Sequence, residues 1–450
     1  MFSQGKWQVE LRALLKLAGP LIVNNLAIAG IHFADAIMAG RLGAETLAAV
    51  AVGGSIWFFG FTICMGTLMA ISPIAARHFG AGTPELIGRY TRQGIYFGVF
   101  VAVILIWVFH QYVGAAINAV GIDSGFRDLT QGYVLALVWG APGIFVFLAF
   151  RFTTEGIGLT KPIMYASVAS LFLNVFLNWV LMFGNLGAPA LGAVGCGIAS
   201  AITMWSIMIG LGIYIMCSKT YAPLQIFARV GKVRPDVIKE ILVLGFPIAV
   251  TITAEAGLFN AVSVLMGTRG AAIAAAHQVA INFAMTTFMI PLALSSAITV
   301  RVGHALGAGD AHGARHRANV GVITCAVFMT CSAAVMLMFR DIVVLIYTND
   351  PAVTSIAISL LLAAAIFQIG DGVQIGAAGA LRGYKDTRFP MVINIFAYWV
   401  LAFPLAYMAA VTYRAAPVYT WGAFIVGLWI AAVLLTWRLI RLSKAELSRA

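Results

Sequence analysis

The sequence predicts an all-α integral membrane protein with twelve transmembrane helices. They form two six-helix lobes related by an internal pseudo-two-fold repeat around a central cleft. Three observations predict this class: a composition too apolar for a soluble fold, apolar runs of spanning length, and a second half that repeats the first. Of 450 residues, 62% are hydrophobic and 10% charged, and mean hydropathy is +0.96. An average soluble domain is about 45–50% apolar and about 25% charged. A soluble fold of this composition would lack polar residues to cover its surface, which excludes most soluble enzymes, nucleic-acid readers and secreted disulfide scaffolds.

A spanning helix needs roughly 20 apolar residues. Runs of that kind cover about 14–38, 46–76, 93–112, 129–151, 162–184, 191–217, 241–267, 272–300, 318–339, 353–378, 389–411 and 417–437. Pro20, Pro73, Pro142, Pro247, Pro291 and Pro404 lie inside them, as membrane helices tolerate when neighbours re-satisfy the freed backbone groups. The first run exceeds a signal-peptide core in length, so no cleavable leader is expected.

The net charge of +12 would suit nucleic acid, but its placement points to a membrane instead. With the N-terminus inside, the inner side collects 23 of the 28 basic residues. They fall in the N-terminal segment, the 77–92 loop, Arg151 and Lys161, the 218–240 segment with Arg229, and their counterparts in the second half. The outer side keeps Arg41, Arg127, Arg269, Arg340 and Arg414. This split is the positive-inside pattern and makes both termini cytoplasmic. The five cysteines (Cys64, Cys196, Cys217, Cys325, Cys331) lie in or beside apolar runs without regular spacing and read as small packing residues.

The repeat has a fixed offset of 227 residues. Leu17-Ala-Gly-Pro20 aligns with Leu244-Gly-Phe-Pro247, Gly40 and Gly43 with Gly267 and Gly270, and Gly80-Ala81-Gly82 with Gly307-Ala308-Gly309. One residue later in register, Pro162 meets Pro390. The chain therefore divides into an N-terminal lobe (1–217), a basic cytoplasmic linker (218–240) and a C-terminal lobe (241–450). Six spans return the chain to its starting side, so the halves share orientation about an axis along the membrane normal. Two such halves around a midplane cavity suit alternating access.

Of sixteen acidic residues, Asp35, Glu255 and Asp371 lie inside spans. A charge at the bilayer centre costs at least ~2.5–3.5 kcal/mol, so these acids read as functional. At ~1.5 Å per residue, Glu255 lies ~21 Å into its helix and Asp371 ~16 Å before Arg382, at comparable levels. They are expected to share one site. Asn174 and Asn178, four apart on one helical face, approach the level of Asp35 and form a polar cluster with it. No Lys or Arg falls within a span core to neutralise the three acids. His32 shares a face with Asp35, and His277 and Gln278 open the eighth span as cleft-lining candidates.

Several chemistries lack their motifs. No GxxxxGK[ST] stretch supports ATP hydrolysis, and no HExxH or DDxxD supports an intramembrane protease or prenyl transferase. The 77–92 loop lacks the Gly-x-x-x-Asp-Arg pattern of the major facilitator transporters, and no selectivity-filter segment marks an ion channel. Energy then comes from an ion gradient or from substrate alone.

Leu17-Ala-Gly-Pro20 with Asp35-Ala-Ile-Met-Ala-Gly40 resembles the first helix of the multidrug and toxic compound extrusion (MATE) transporters. Arg77-His-Phe-Gly-Ala-Gly82, Gly156-Ile-Gly-Leu-Thr-Lys-Pro162 with Asn174 and Asn178, and Ala380-Leu-Arg-Gly-Tyr-Lys-Asp-Thr-Arg388 are similarly placed. The likeness covers nearly the whole chain. It implies export of organic cations in exchange for Na⁺ or H⁺, across a bacterial cytoplasmic membrane, by a monomer without a cofactor. Glu255 and Asp371 together resemble the NorM-like bacterial branch, in which they are linked to cation coupling and stand here as a Na⁺ site. Asp35 is linked to coupling through the first lobe. Some members carry Tyr where this chain has Phe367, which removes one oxygen from that site.

A carboxylate out of water favours its neutral form unless a cation is near, and a proton, Na⁺ or cationic drug can each neutralise it. Competition for the same acids gives exchange. The expected partners are small cationic or apolar drugs and membrane lipids, not nucleic acid. A flippase of lipid-linked precursors and a membrane-embedded lipid-acting enzyme are the alternatives. The first usually carries extra helices and a strongly basic cleft; the second needs catalytic groups at a membrane surface.

Overall fold

A computed structural model of the chain describes residues 4–120, 123–227, 231–348 and 350–449; Arg229 of the basic linker lies outside them. Among the described residues the protein is helical, without strands. Inside lipid the backbone must satisfy its own polar groups, which leaves a chain of long apolar runs the helix. The long helices are α1 (Gln4–Leu42), α2 (Ala44–Leu68), α3 (Ile71–Gly80), α4 (Pro84–Val120), α5 (Ser124–Val138), α6 (Ala141–Gly156), α7 (Lys161–Leu181) and α8 (Gly192–Cys217). The second half holds α9 (Pro235–Gly267), α10 (Ala271–Gly307), α11 (Ala311–Met338), the short α12 (Arg340–Tyr347), α13 (Pro351–Gly383), α14 (Arg388–Ile395), α15 (Phe403–Tyr407) and α16 (Pro417–Leu447).

Among the described residues eleven spans are long and apolar enough to cross a membrane, and α5 with α6, bent by 47°, makes twelve when the pair is taken as one span. Proline explains where spans break. Pro142 has no N–H for the carbonyl of Val138, and α5 ends at Val138. Pro73 stands likewise four residues after Met69, at the interruption between α2 and α3. Ahead of Pro404 the helix widens over Phe396–Ala402, whereas Pro20, Pro247 and Pro291 sit within continuous helices.

The glycines of the sequence repeat occupy equivalent backbone positions. Gly43 (φ 129°) and Gly270 (φ 117°) precede α2 and α10, and Gly82 (φ 69°) and Gly309 (φ 77°) follow α3 and α10. A Cβ is strained at each of these positive φ values.

The chain forms two compact units, one of Gly19–Ala249 and one of Met1–Ala18 with Val250–Ala450. Each boundary falls inside a helix, α1 or α9. In the Gly19–Ala249 unit, Trp57 stacks on Phe145 with ring centroids 6.4 Å apart. The segment before α9 is strapped to α4: Gln93 donates to Lys232 O (3.0 Å) and accepts from Arg234 N (2.8 Å), and Tyr96 donates to Gly231 O (3.0 Å). Tyr221, preceding this strap, donates to Thr154 at 3.2 Å, and burial pushes its phenol up to about 12. In the other unit the first turns of the chain are held by Glu10, which accepts from Arg301 at 2.8 Å and lies 3.7 Å from Arg317. Its core centres on α13, with Leu360, Leu361, Trp421 and Ala431 all fully buried.

Candidate functional site

Asp35, carried by α1, is buried. Asn178 of α7 donates to its Oδ1 at 2.6 Å and also to Asn174 Oδ1 at 3.1 Å. The four-residue spacing on α7 stacks the two amides on one face, and both are fully buried. Cys196 of α8 hydrogen-bonds the same carboxylate, and Tyr133 of α5 lies within its field. Asn178 Oδ1 is buried with no hydrogen-bond partner among the described residues. Four helices thus converge on one acid through neutral groups, leaving an amide oxygen free to join it around a cation. His32 is exposed, so the shared face predicted from its spacing does not bury it beside Asp35.

In the second unit, Asp371 of α13 is 4% exposed, and Glu255 of α9 lies within its electrostatic reach. The two predicted partners are brought together. Gln368 and Gln374 flank Asp371 at intervals of three on α13, which repeats along one side of a helix. Asp371 Oδ1, Gln368 Oε1 and Gln374 Oε1 are all buried without a partner among the described residues. Tyr398 is 2% exposed, its hydroxyl is equally unpartnered, and it feels both acids. Asn394, one turn earlier, is fully buried with neither amide atom paired. Trp399 anchors this stretch to α9 by donating to Ala254 O at 3.0 Å, one residue from Glu255.

The expectation that no base reaches the acids is corrected. Arg382 lies within the field of Glu255, because α13 continues to Gly383 instead of ending near residue 378. Hydropathy registers only the apolar part of a helix, whereas the backbone ladder runs on through polar turns. Arg382 also donates to Ser295 of α10 at 2.6 Å. Arg151 likewise falls within α6, and Glu155, past the apolar run that ends at 151, is 1% exposed and accepts from Ser72 at 3.1 Å. Arg151 lies 3.2 Å from the amide of Asn24. Only the spacing of Gln368, Asp371 and Gln374 offered a local signal for any of these missed groups.

His277 and Phe367 belong to a packed aromatic group. Trp421 donates to His277 Nδ1 at 3.1 Å. An indole N–H only donates, so Nδ1 accepts, and Nε2 carries the proton toward Ser263 Oγ at 3.0 Å. Ser263 in turn donates to Phe259 O at 2.9 Å. Phe367 meets Phe259 and Trp421 edge-on at 5.9 and 6.0 Å. Gln278 is exposed and donates to Asn282 at 2.8 Å. Among the described residues no group of three or more His, Cys, Asp or Glu is placed to hold a metal ion. The second-unit set is therefore two carboxylates supplemented by hydroxyl and amide oxygens, a donor set that suits a hard monovalent cation or a proton.

The MatE family profile matches residues 20–180 and 247–408. The chain is 36% identical over 443 residues to the multidrug resistance protein NorM of Aliivibrio fischeri, covering 98% of this chain and 96% of that one. It is 38% identical over 444 residues to NorM of Vibrio cholerae, covering 98% and 97%. Its fold matches the eukaryotic MATE transporter AtDTX14 at a TM-score of 0.88, with 22% identity and coverage of 98% and 99%. An outward-facing multidrug resistance MATE transporter matches equally at 0.88, with 19% identity and 97% of each chain covered. The first matched stretch holds Asp35, Asn174 and Asn178, the second holds Glu255 and Asp371, and the chain is an integral membrane protein belonging to the MatE family.

Proposed function

We propose that this chain is a secondary active antiporter that exports organic cationic or amphiphilic compounds in exchange for Na⁺ or H⁺ by alternating access. The carrying observation is Asp371, a buried carboxylate with an unpartnered oxygen and Glu255 within its field. Among the described residues no group completes the hydrogen bonding of its Oδ1, so an incoming ion or a cationic solute supplies what they do not. Tyr398 supports this reading by offering a hydroxyl near both acids where Phe367 offers none. Asp35 with Asn174 and Asn178 supplies a second binding locus in the other unit. The NorM relatives carry the name of multidrug resistance proteins, which supports drugs as cargo. The basic-residue asymmetry supports a bacterial cytoplasmic membrane with both termini inside, and the sequence repeat supports an N-terminal lobe to residue 217 and a C-terminal lobe from 241.

Exchange follows from one restriction: the protein isomerises only when its acids are neutralised. Facing inward it takes up the cationic solute, and facing outward an ion displaces it. The test uses proteoliposomes loaded with a fluorescent cationic dye, given a Na⁺ gradient at fixed pH and then a pH gradient without Na⁺. Dye movement driven by Na⁺ alone assigns coupling to Glu255 and Asp371, and movement driven by pH alone shifts it to a proton-titrating carboxylate, Asp35 first. Silence in both, with insertion confirmed, sinks the antiport reading. Asp371→Asn should abolish gradient-driven export while preserving insertion, and unchanged drug resistance in that variant would refute the assignment.

A further inference from the structure

Between α7 and α8, wholly within the Gly19–Ala249 unit, an open groove of about 470 Å³ runs from Lys161 along the helices. Its floor is made by small residues. Ala166, Ala169 and Gly210 face it, and a Cβ built on Gly210 meets no atom within 4 Å. The two serines that line it are satisfied within their own helices, Ser170 donating to Ser167 O (2.8 Å) and Ser206 to Ile202 O (2.8 Å). With both hydroxyl protons engaged, the floor offers a guest no free hydroxyl donor.

Charge is confined to one end. Lys161 opens α7 exposed and makes no ion pair among the described residues. Tyr165 one turn later and Tyr214 near the end of α8 are 64% and 46% exposed, the placing of interfacial tyrosines at headgroup level. From that mouth the groove reaches Leu173 on α7 and Ser206 on α8, about 12–18 Å at the helical rise. One leaflet of a hydrocarbon core about 30 Å thick has the same depth. A cation at the mouth, tyrosines at the rim and a narrow apolar floor one leaflet deep match one molecule: a phospholipid with an anionic headgroup.

We infer that this groove is a binding site for an anionic phospholipid of the cytoplasmic leaflet, its phosphate on Lys161 and one acyl chain along Ala169 and Gly210. The leaflet rests on the orientation proposed above; the binding itself does not. It would tie the first unit to a lipid charge independently of either acid cluster.

Native mass spectrometry of the delipidated full chain, titrated with dioleoyl phosphatidylglycerol or dioleoyl phosphatidylcholine, tests the site directly. The wild type should retain phosphatidylglycerol in about fivefold preference, the effect of one lysine beside an anionic headgroup. Lys161→Gln should bring the two lipids to parity. Gly210→Leu should reduce retention of both lipids, with Ala169→Leu as a second filling variant and thermal unfolding as the check on folding. Equal retention of the two lipids by the wild type overturns the proposal, as does a preference that survives Lys161→Gln or retention unaffected by both filling variants. Tighter binding of a cationic dye in Lys161→Gln, with displacement of phosphatidylglycerol, overturns it in favour of a solute portal. Because binding is read in detergent without a gradient, its failure is separate from failure of ion-coupled transport.

Discussion

Asp35 and Asp371 differ in how far the protein completes their hydrogen bonding. Asp35 already accepts from Asn178 at 2.6 Å, whereas Asp371 keeps a buried oxygen without a partner among the described residues. Tyr398→Phe tests what the nearby hydroxyl contributes, since the ring and its packing remain. Half-saturation by the coupling ion should rise about tenfold, the worth of one hydrogen bond to a charged group, with unchanged thermal stability. An unaltered ion dependence in dye-loaded proteoliposomes would remove Tyr398 from the site. His277 predicts the opposite pattern. Both ring nitrogens are bonded in the core, so His277→Ala leaves Trp421 Nε1 unpaired and should lower stability by about 1–3 kcal/mol. Thermal unfolding in detergent measures that loss, and ion dependence of the folded fraction should stay near wild type.

Between elements, glycine sets how closely helices approach. α13 crosses α10 at Gly379, where an added Cβ would meet Ser295. The crossing is secured by Ser295 donating to Ile375 O at 2.6 Å and Thr299 donating to Gly379 O at 2.7 Å. Small residues allow this in lipid, where close packing and interhelical hydrogen bonds hold helices together. Gly379→Val should therefore destabilise the protein by about 1–3 kcal/mol through overpacking. Gly422 of α16 is the control, because a Cβ there meets nothing within 4 Å. Gly422→Ala should be neutral or stabilise by up to about 1 kcal/mol from helix propensity. Equal melting shifts in the two variants would contradict the close-approach argument.

For the whole molecule, the chain's first turns are part of a unit whose remaining residues lie more than two hundred positions away. Glu10 is 7% exposed and faces Arg301 and Arg317, whose side chains are 24% and 23% exposed. Removing the acid leaves two partly screened cations facing each other, so the cost falls below that of a fully buried pair. Glu10→Gln should lower the unfolding temperature by an amount equivalent to about 1–2 kcal/mol. Glu446→Gln, at an exposed pair on α16, should leave it unchanged. Identical behaviour of the two variants would show that the N-terminal segment is not held through Glu10.

The sequence by itself determined the spans, the family resemblance, the repeat and the three membrane-buried acids with Asn174 and Asn178. These are local and additive quantities: hydropathy over a window, charge per loop, glycine at a fixed offset and depth counted along one helix. The depth count even set Asn178 level with Asp35, where the structure shows a hydrogen bond. Only the tertiary structure decided which distant groups meet. Arg382 reaches the field of Glu255 because α13 extends beyond its apolar run. Tyr398 faces two acids from a helix that local pattern reads as featureless, and His277 is bonded into an aromatic core. The fourth span bends by 47° at a glycine and proline that resemble those in unbroken helices. Such outcomes depend on crossing angle and rotation between helices, which follow from side-chain packing over many residues at once and leave no periodic trace in any one segment.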